Sequence, residues 1–139
     1  MTKIKSVRFY DESGNELNSF QEIREKATVF KGKILDSSVS GETKQVNLDD
    51  QQIKIGHKWY HFITHEPSIV AKKITNVKFG NPDSSIMISP NLDWAIRELE
   101  RGHLVSLKAD FNGKTISDTV DKIQGNILIG DALTYKVTE

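Results

Sequence analysis

The chain of 139 residues contains no cysteine. This absence excludes a disulfide framework, a cysteine nucleophile and thiolate metal ligands. It fits a protein of a reducing compartment, so we expect a cytoplasmic location. No apolar run approaches membrane-spanning length, and the first residues lack the apolar segment of a secretory signal. We therefore expect no membrane association.

The chain also lacks an excess of charge of either sign, because Lys+Arg and Asp+Glu each number 19. The balance holds locally, with ten of each sign in residues 1–66 and nine of each in 67–139. Proteins that live on phosphate backbones usually carry a basic excess or a basic face. Neutrality therefore counts against nucleic-acid binding as the first hypothesis, and equally against an acidic mimic of DNA.

Sequence motifs of several enzyme classes are missing. The chain has no Gly-x-Ser-x-Gly elbow, no glycine-rich phosphate loop before Lys-Ser/Thr and no dinucleotide fingerprint. We therefore expect a protein without a cofactor and favour a non-enzyme, although the question of catalysis stays open.

What the chain does contain is a near-repetition. Ile-Lys-Ser-Val-Arg-Phe at 4–9 is echoed by Ile-Thr-Asn-Val-Lys-Phe at 74–79, and Ile-Arg-Glu occurs at 23–25 and 96–98. Two copies at this spacing suggest a duplicated small domain rather than a solenoid. We predict an α+β fold, mainly antiparallel β, of two tandem similar units packed together. The units are 1–66 and 74–139, joined by a short connection at 67–73.

Each unit is predicted to run strand, helix, then several strands in a small barrel-like arrangement. In the first unit the pattern predicts a strand at 4–10, a helix capped by Ser19, a strand at 27–35, a polar loop or hairpin tip at 36–43 and a hairpin of 52–55 with 58–64. In the second unit, Ser89 is the expected helix N-cap and Gly102 the helix stop. Asn112-Gly113 predicts a tight hairpin.

The segment from Asn91 to Tyr135 resembles the Sm-like fold, which has an N-terminal helix followed by strongly bent strands. The likeness covers about a third of the chain and rests on this pattern, with Asn112-Gly113 at the first hairpin. It implies a small β-barrel that binds a nucleic acid or nucleotide. The family's uridine-binding and ring-forming residues have no match here, so the resemblance implies no site residues.

The helix of the second unit offers one candidate binding surface. With Leu92 as the buried direction, a helix turning about 100° per residue places Trp94 at about 200°, opposite the apolar stripe. Arg97 and Arg101 fall nearby. An exposed Trp flanked by Arg is typical of an interface hot spot and could also stack a base. The alternative is that Trp94 packs against its own unit or the other one.

Three histidines of the first unit, His57, His61 and His65, suggest metal ligands at first sight. However, His57 and His61 stand roughly 13 Å apart along an extended strand, too far to share one zinc ion. We therefore expect no metal site. Trp59 and His61 remain as candidate binding residues on that strand.

Four acidic residues lie in the C-terminal strands and turns, namely Asp110, Asp118, Asp121 and Asp131. Paired carboxylates could do acid–base work, but their spacing does not force them together. We expect them to be solvated turn and edge residues, with no catalytic role.

The leading hypothesis is a non-enzymatic cytosolic binding protein that acts through a protein–protein surface at Trp94, Arg97, Arg101, Trp59 and His61. An accessory protein or anti-defence inhibitor of a phage or mobile element would fit this character. A homo-oligomer is a further partner left open. The alternative is nucleic-acid or nucleotide binding by the small barrels, and the third reading is an enzyme using the His57–His61 strand.

Overall fold

The computed structural model describes residues 3–43, 45–82, 87–89 and 91–138, with only the backbone for 87–89. Within these residues the chain is mostly β, with thirteen strands, two α-helices and one 3-10 turn. The α+β class therefore holds only loosely. The chain divides into two compact units, Met1–Val70 and Ala71–Glu139. No helix in the described part is both long and apolar enough to cross a membrane.

The first unit contains seven strands, one helix and the 3-10 turn Pro67–Ile69. In chain order they are β1 (Lys3–Tyr10), β2 (Glu16–Leu17), α1 (Phe20–Lys26), β3 (Val29–Ile34), β4 (Ser37–Glu42), β5 (Val46–Asn47), β6 (Gln52–Ile55) and β7 (Lys58–Thr64). Ser19 caps α1 as predicted, and its hydroxyl accepts a hydrogen bond from the Glu22 amide at 3.1 Å.

The strands of the first unit form one curved sheet in the order β4-β3-β1-β7-β6-β5, with β2 added to β1. Strand β1 runs antiparallel to β3 and parallel to β7. Among the described residues the end strands β4 and β5 do not pair, so the sheet is a half-barrel. Its concave side buries a core that includes Ile4, Val7, Phe9, Phe30, Ile53 and Phe62.

A bulge interrupts β1 and sets which of its side chains face the core. Between Lys5 and Arg8 the register against β3 shifts, and Ser6 within the bulge has φ 50°. A bulge inserts one extra residue into one strand. Ile4, Val7 and Phe9 can therefore all point into the core, while Lys5 and Arg8 share the opposite side.

In its described residues, the second unit contains six strands and one helix. They are β8 (Lys72–Gly80), β9 (Met87–Ser89), α2 (Leu92–Glu100), β10 (Val105–Phe111), β11 (Lys114–Gln124), β12 (Ile127–Gly130) and β13 (Thr134–Val137). Strand β8 pairs antiparallel with β10 and parallel with β13. Because β10 to β13 pair in sequence, these five strands close into a ring. Its core includes Ile74, Phe79, Val105, Leu107, Leu128 and Tyr135.

Several local predictions are confirmed and others are wrong. Asn112 and Gly113 both have positive φ, 50° and 78°, as the predicted tight hairpin requires. The segment 36–43, predicted as a loop or hairpin tip, begins at the tip of the β3–β4 hairpin but is otherwise largely strand β4, paired with β3 over six positions. Its sequence, Ser-Ser-Val-Ser-Gly-Glu, has little apolar alternation because this edge strand is mostly exposed.

The N-cap of α2 is Asn91 rather than the predicted Ser89. The Asn91 side-chain oxygen accepts a hydrogen bond from the Asp93 amide at 2.8 Å. Asn is as good a cap as Ser, and the sequence offers both within three residues. The predicted stop at Gly102 is confirmed by its φ of 79° and by the hydrogen bond that its N–H donates to the Leu99 carbonyl.

Candidate binding surface

Charge in the first unit is segregated by element. Strands β1, β3, β6 and β7 together contain seven Lys or Arg residues and no Asp or Glu. The acidic residues of this unit occupy turns, helix α1 and strands β2 and β4. A unit with ten charges of each sign therefore presents its sheet as a basic surface.

Strand pairing puts six of these seven residues on one side of the sheet. Lys5 lies opposite Lys33, and Arg8 lies opposite Lys31. Directly paired residues share a face, and so do residues two apart on one strand. The same rule extends this side to β7 through the pair Lys3–His61, and to β6 through the pair Trp59–Lys54. We call it the basic face, defined by Lys3, Lys5, Arg8, Lys31, Lys33, Lys54 and Trp59.

Two pairs of like charge sit side by side at the centre of the basic face. Lys5 with Lys33, and Arg8 with Lys31, are direct cross-strand neighbours, and all four are exposed. In antiparallel sheets, like charges directly opposite each other are destabilising. These strands contain no Asp or Glu that could offset the repulsion, so the basic face carries an electrostatically unfavourable arrangement.

An exposed tryptophan stands at one end of the same face. Trp59 has 39% of its surface exposed and pairs with Lys54 on β6. His61 follows on the same side and pairs with Lys3 and Gln52. The Nδ1 atom of His61 is buried without a hydrogen-bond partner among the described residues. Trp59 is thus the accessible aromatic group of the surface.

Acidic residues bound the other end of the face. Tyr10 and Val29 form the last row, next to Glu16 on β2 and Glu42 on β4. One Arg8 Nη lies 3.4 Å from the Glu16 carboxylate. The cations without a neighbouring acidic row therefore lie between the Lys31 row and Trp59.

Trp94 is not the outward residue that the helix pattern predicted. It is half-buried and packs against the core of the second unit. The only fully buried residue of α2 is Ala95. With Ala95 as the buried direction, Trp94 lies only about 100° away, at the flank of the buried side. A large side chain there can fold back onto the core.

The two arginines near Trp94 are exposed and engaged within their own helix. The Arg97 Nε donates to the Asp93 carbonyl at 3.3 Å, and an Arg101 Nη lies 3.6 Å from the Glu98 carboxylate. Glu98 also contacts the His103 ring at 3.2 Å. The predicted cluster of an outward Trp with free arginines is therefore not assembled, although Arg97 and Arg101 remain accessible.

The three histidines of the first unit lie in or beside the extended strand β7. His57 is in the hairpin turn, His61 lies within β7 and His65 follows it. In the part of the chain that the structure describes, no group of three or more His, Asp or Glu residues is placed to hold a metal ion.

Among the acidic candidates, Asp118 has a structural role that the spacing did not reveal. Its carboxylate accepts hydrogen bonds from the Thr119 amide at 2.7 Å, the Ala132 amide at 3.1 Å and the Tyr135 hydroxyl at 2.8 Å. Burial and the neighbouring Asp118 raise the pKa of Tyr135 well above its ordinary value. Asp118 thus clamps the turn between β12 and β13.

The other three acidic candidates lie apart from this clamp. Asp110 accepts a hydrogen bond from the Asn76 side-chain amide at 2.9 Å. Asp131 is an exposed turn residue, as expected, whereas Asp121 is exposed at an irregularity of β11, a strand that pairs on both sides rather than at an edge.

The first unit also has a cleft of about 530 Å³ where β4 gives way to β5. Phe9, Ile23 and Leu48 form much of its apolar part, and they belong to the core of the unit. Arg24 and Asp49 are the only charged side chains among the described residues of the lining, and they pair with each other at 3.3 Å. We therefore place the candidate binding surface on the basic face rather than in this cleft.

The basic face was missed because charge was counted over whole halves of the chain. A count over each predicted strand would have shown that two strands carry only basic charge, Lys-Ile-Lys-Ser-Val-Arg-Phe-Tyr and Val-Phe-Lys-Gly-Lys-Ile. Pairing of these two strands is what joins the charges into one surface. Trp59 and His61, which the sequence singled out, do lie on this surface.

Comparison with protein-family models, with curated protein sequences and with solved structures finds no match to this chain. Function is therefore inferred from the geometry of the surface.

Proposed function

We propose that this chain is a non-enzymatic binding protein and that its binding surface is the basic face of the first unit. The observation that carries the proposal is the adjacent pair of like-charge contacts, Lys5–Lys33 and Arg8–Lys31. Such contacts weaken a sheet. An anionic partner would neutralise the three lysines of these contacts, while Arg8 already lies 3.4 Å from the Glu16 carboxylate.

A protein partner would bind this face rather than the surface around Trp94. A protein bound here would present an acidic surface, with Trp59 as the aromatic anchor. We keep the cytoplasm as the proposed location. An accessory or inhibitory role in a phage or mobile element also stays a proposal, which the identity of the partner would test.

Nucleic acid is the second candidate, and the position of Trp59 favours it. An exposed aromatic ring beside a row of lysines is the combination that proteins use to stack bases and hold the backbone of a single strand. The Sm-like pattern of the second unit had suggested the same class of ligand.

We also propose that the two units descend from one duplicated unit. In both, the first strand pairs antiparallel with the strand after the helix and parallel with the last strand. Ser6 and Asn76, which align in the sequence repeat, have φ of 50° and 51°. These correspondences support a common origin.

Retention on a polyanionic heparin matrix tests the proposed function. We expect the wild-type chain to be retained at low salt although its formal net charge is zero, because the basic residues are concentrated on one face. The double variant K5E/K33E should pass through the column. The matched control K78E/K108E alters one of the two like-charge pairs of the second unit, the other being Lys73–Lys136, and should be retained. Equal loss of retention in both variants would contradict the proposal.

A further inference from the structure

We infer that the basic face binds single-stranded nucleic acid, with an unpaired base stacked on Trp59 and the backbone running over the lysines. This inference rests on the proposed function and names the partner of the same surface. Three features carry it: the position of Trp59, the spacing of the cations and the absence of acidic residues from the four strands of the face.

Trp59 is placed to offer a stacking surface at the edge of the cationic field. It is 39% exposed, lies on the side of β7 away from the core and has Lys54 directly opposite. Stacking on an aromatic ring is tolerant of sequence because every base has a π-face. Lys54 can reach a phosphate that flanks the stacked base.

The cations form a lattice with the spacing of the sheet. Neighbours on adjacent strands, such as Lys5 and Lys33, have Cβ atoms about 5 Å apart, and Lys31 and Lys33 are separated by about 7 Å along β3. Lysine carries its charge on a flexible stem. A flexible phosphate backbone can therefore contact several of these charges in succession.

The same geometry argues against a duplex. Double-stranded nucleic acid would offer the lysines its phosphates, but its bases are stacked on each other and cannot reach Trp59. A duplex contact would therefore leave the exposed ring unused. An acidic protein could satisfy the charges, but such interfaces gain most of their affinity from apolar anchors in pockets. On the basic face Trp59 instead has a cation, Lys54, directly opposite, and the other cations extend away from it along the sheet.

Tryptophan fluorescence in the full-length chain provides the first test. Trp59 and Trp94 are the only two tryptophans, so Trp94→Phe leaves Trp59 as the sole reporter. Titration with oligothymidylate of roughly 12 nucleotides, within the range that one small barrel covers, should quench this fluorescence. A duplex of equal length should bind more weakly and leave the fluorescence unchanged. Quenching by both to the same extent would overturn the inference.

Substitutions then separate stacking from charge. Trp59→Ala should weaken oligothymidylate binding by about five- to a hundred-fold, and Trp59→Phe should recover part of that decrease. The double variant K5Q/K33Q should reduce the slope of log affinity against log salt by about 1.4, which is about 0.7 for each phosphate that is no longer neutralised. The control K78Q/K108Q should leave the slope unchanged.

The outcomes distinguish failure of the inference from failure of the proposed function. If K5Q/K33Q weakens heparin binding but oligothymidylate binds without dependence on Trp59, the inference is wrong and the binding surface stands. If poly-glutamate quenches Trp59 while oligothymidylate does not, the partner is an acidic protein and the inference is again wrong. If the wild-type chain binds no polyanion at low salt, both fail. Circular dichroism of each variant confirms that it is folded.

Discussion

The Tyr135 hydroxyl donates a 2.8 Å hydrogen bond to the Asp118 carboxylate, and this pair joins strand β13 to strand β11 in the second unit. The carboxylate also accepts from the amides of Ala132 and Leu133 in the intervening turn. The Asp118 side chain therefore satisfies donors of both the β12–β13 turn and strand β13. Gly130 makes room for it, because a Cβ atom at that position would collide with the Asp118 carboxylate.

Removal of this carboxylate should cost more stability than removal of the hydroxyl. Asp118→Ala leaves several donors without an acceptor and should lower the free energy of unfolding by roughly 2–3 kcal/mol, whereas Tyr135→Phe should cost about 1 kcal/mol. Urea unfolding followed by circular dichroism measures both. The exposed neighbour Asp131→Ala serves as the control and should change stability by less than about 0.5 kcal/mol. Equal effects of Asp118→Ala and Asp131→Ala would disprove the clamp.

The raised pKa of Tyr135 predicts a decrease of stability in alkali. Burial and the Asp118 carboxylate hold its pKa above the ordinary value, which is about 10 in the unfolded chain. The contribution is therefore fully present below pH about 10. Above that pH the unfolded chain loses a proton that the folded chain keeps, so stability falls as pH rises. Unfolding at pH 9 and pH 11 should show a smaller decline for Tyr135→Phe than for the wild type. Identical declines would mean that Tyr135 titrates normally.

The bulge in β1 should tolerate glycine and reject a β-branched residue. Ser6 has φ 50°, a left-handed conformation that costs most residues about 1–2 kcal/mol. Ser6 already bears this cost, and the branched Cβ of Val fits the left-handed region still less well. Ser6→Val should therefore destabilise the chain by about 1 kcal/mol more, while Ser6→Gly should be close to neutral, because the relief of strain is offset by the greater backbone freedom of Gly in the unfolded chain. Thermal unfolding of the two variants provides the comparison. A Val variant as stable as the Gly variant would contradict the left-handed assignment.

The equivalent position of the second unit should respond differently to glycine. Asn76 has φ 51° and its amide donates to Asp110 at 2.9 Å. Asn76→Gly keeps the backbone conformation but removes this hydrogen bond, so it should destabilise the chain by about 0.5–1 kcal/mol. Under the same conditions Ser6→Gly should not. A neutral Asn76→Gly would indicate that the bond to Asp110 contributes no stability.

Charge reversal at one lysine of the basic face should stabilise the fold while it weakens binding. Lys33→Glu converts the contact with Lys5 into an opposite-charge pair and should raise the free energy of unfolding by about 0.2–1 kcal/mol. The same variant should bind heparin and oligothymidylate more weakly. Lys108→Glu makes the matching change opposite Lys78 and should gain similar stability with binding unchanged. A lower stability of Lys33→Glu would show that the like-charge contact is not strained.

Much of the local structure was predictable because the signals act over a few residues. The cap at Ser19, the turn at Asn112-Gly113 and the helix end at Gly102 follow from backbone preferences that hold wherever the segment lies. The wrong predictions concern segments whose structure and burial depend on tertiary contacts. Strand β4 is polar because it is an exposed edge, and Trp94 is half-buried because Ala95, rather than Leu92, is the deepest residue of its helix.

The candidate surface divides in the same way. The sequence alone identified Trp59 and His61 as candidate binding residues. It also showed that the motifs of several enzyme classes are absent. The basic face could not be predicted from the sequence, because Lys5, Lys33 and Lys54 come from three strands far apart in the chain. Only the pairing of β1 with β3 and β7, and of β6 with β7, sets the register that turns these charges to one side. A strand's composition determines which charges it carries, whereas its register against neighbouring strands determines which charges meet.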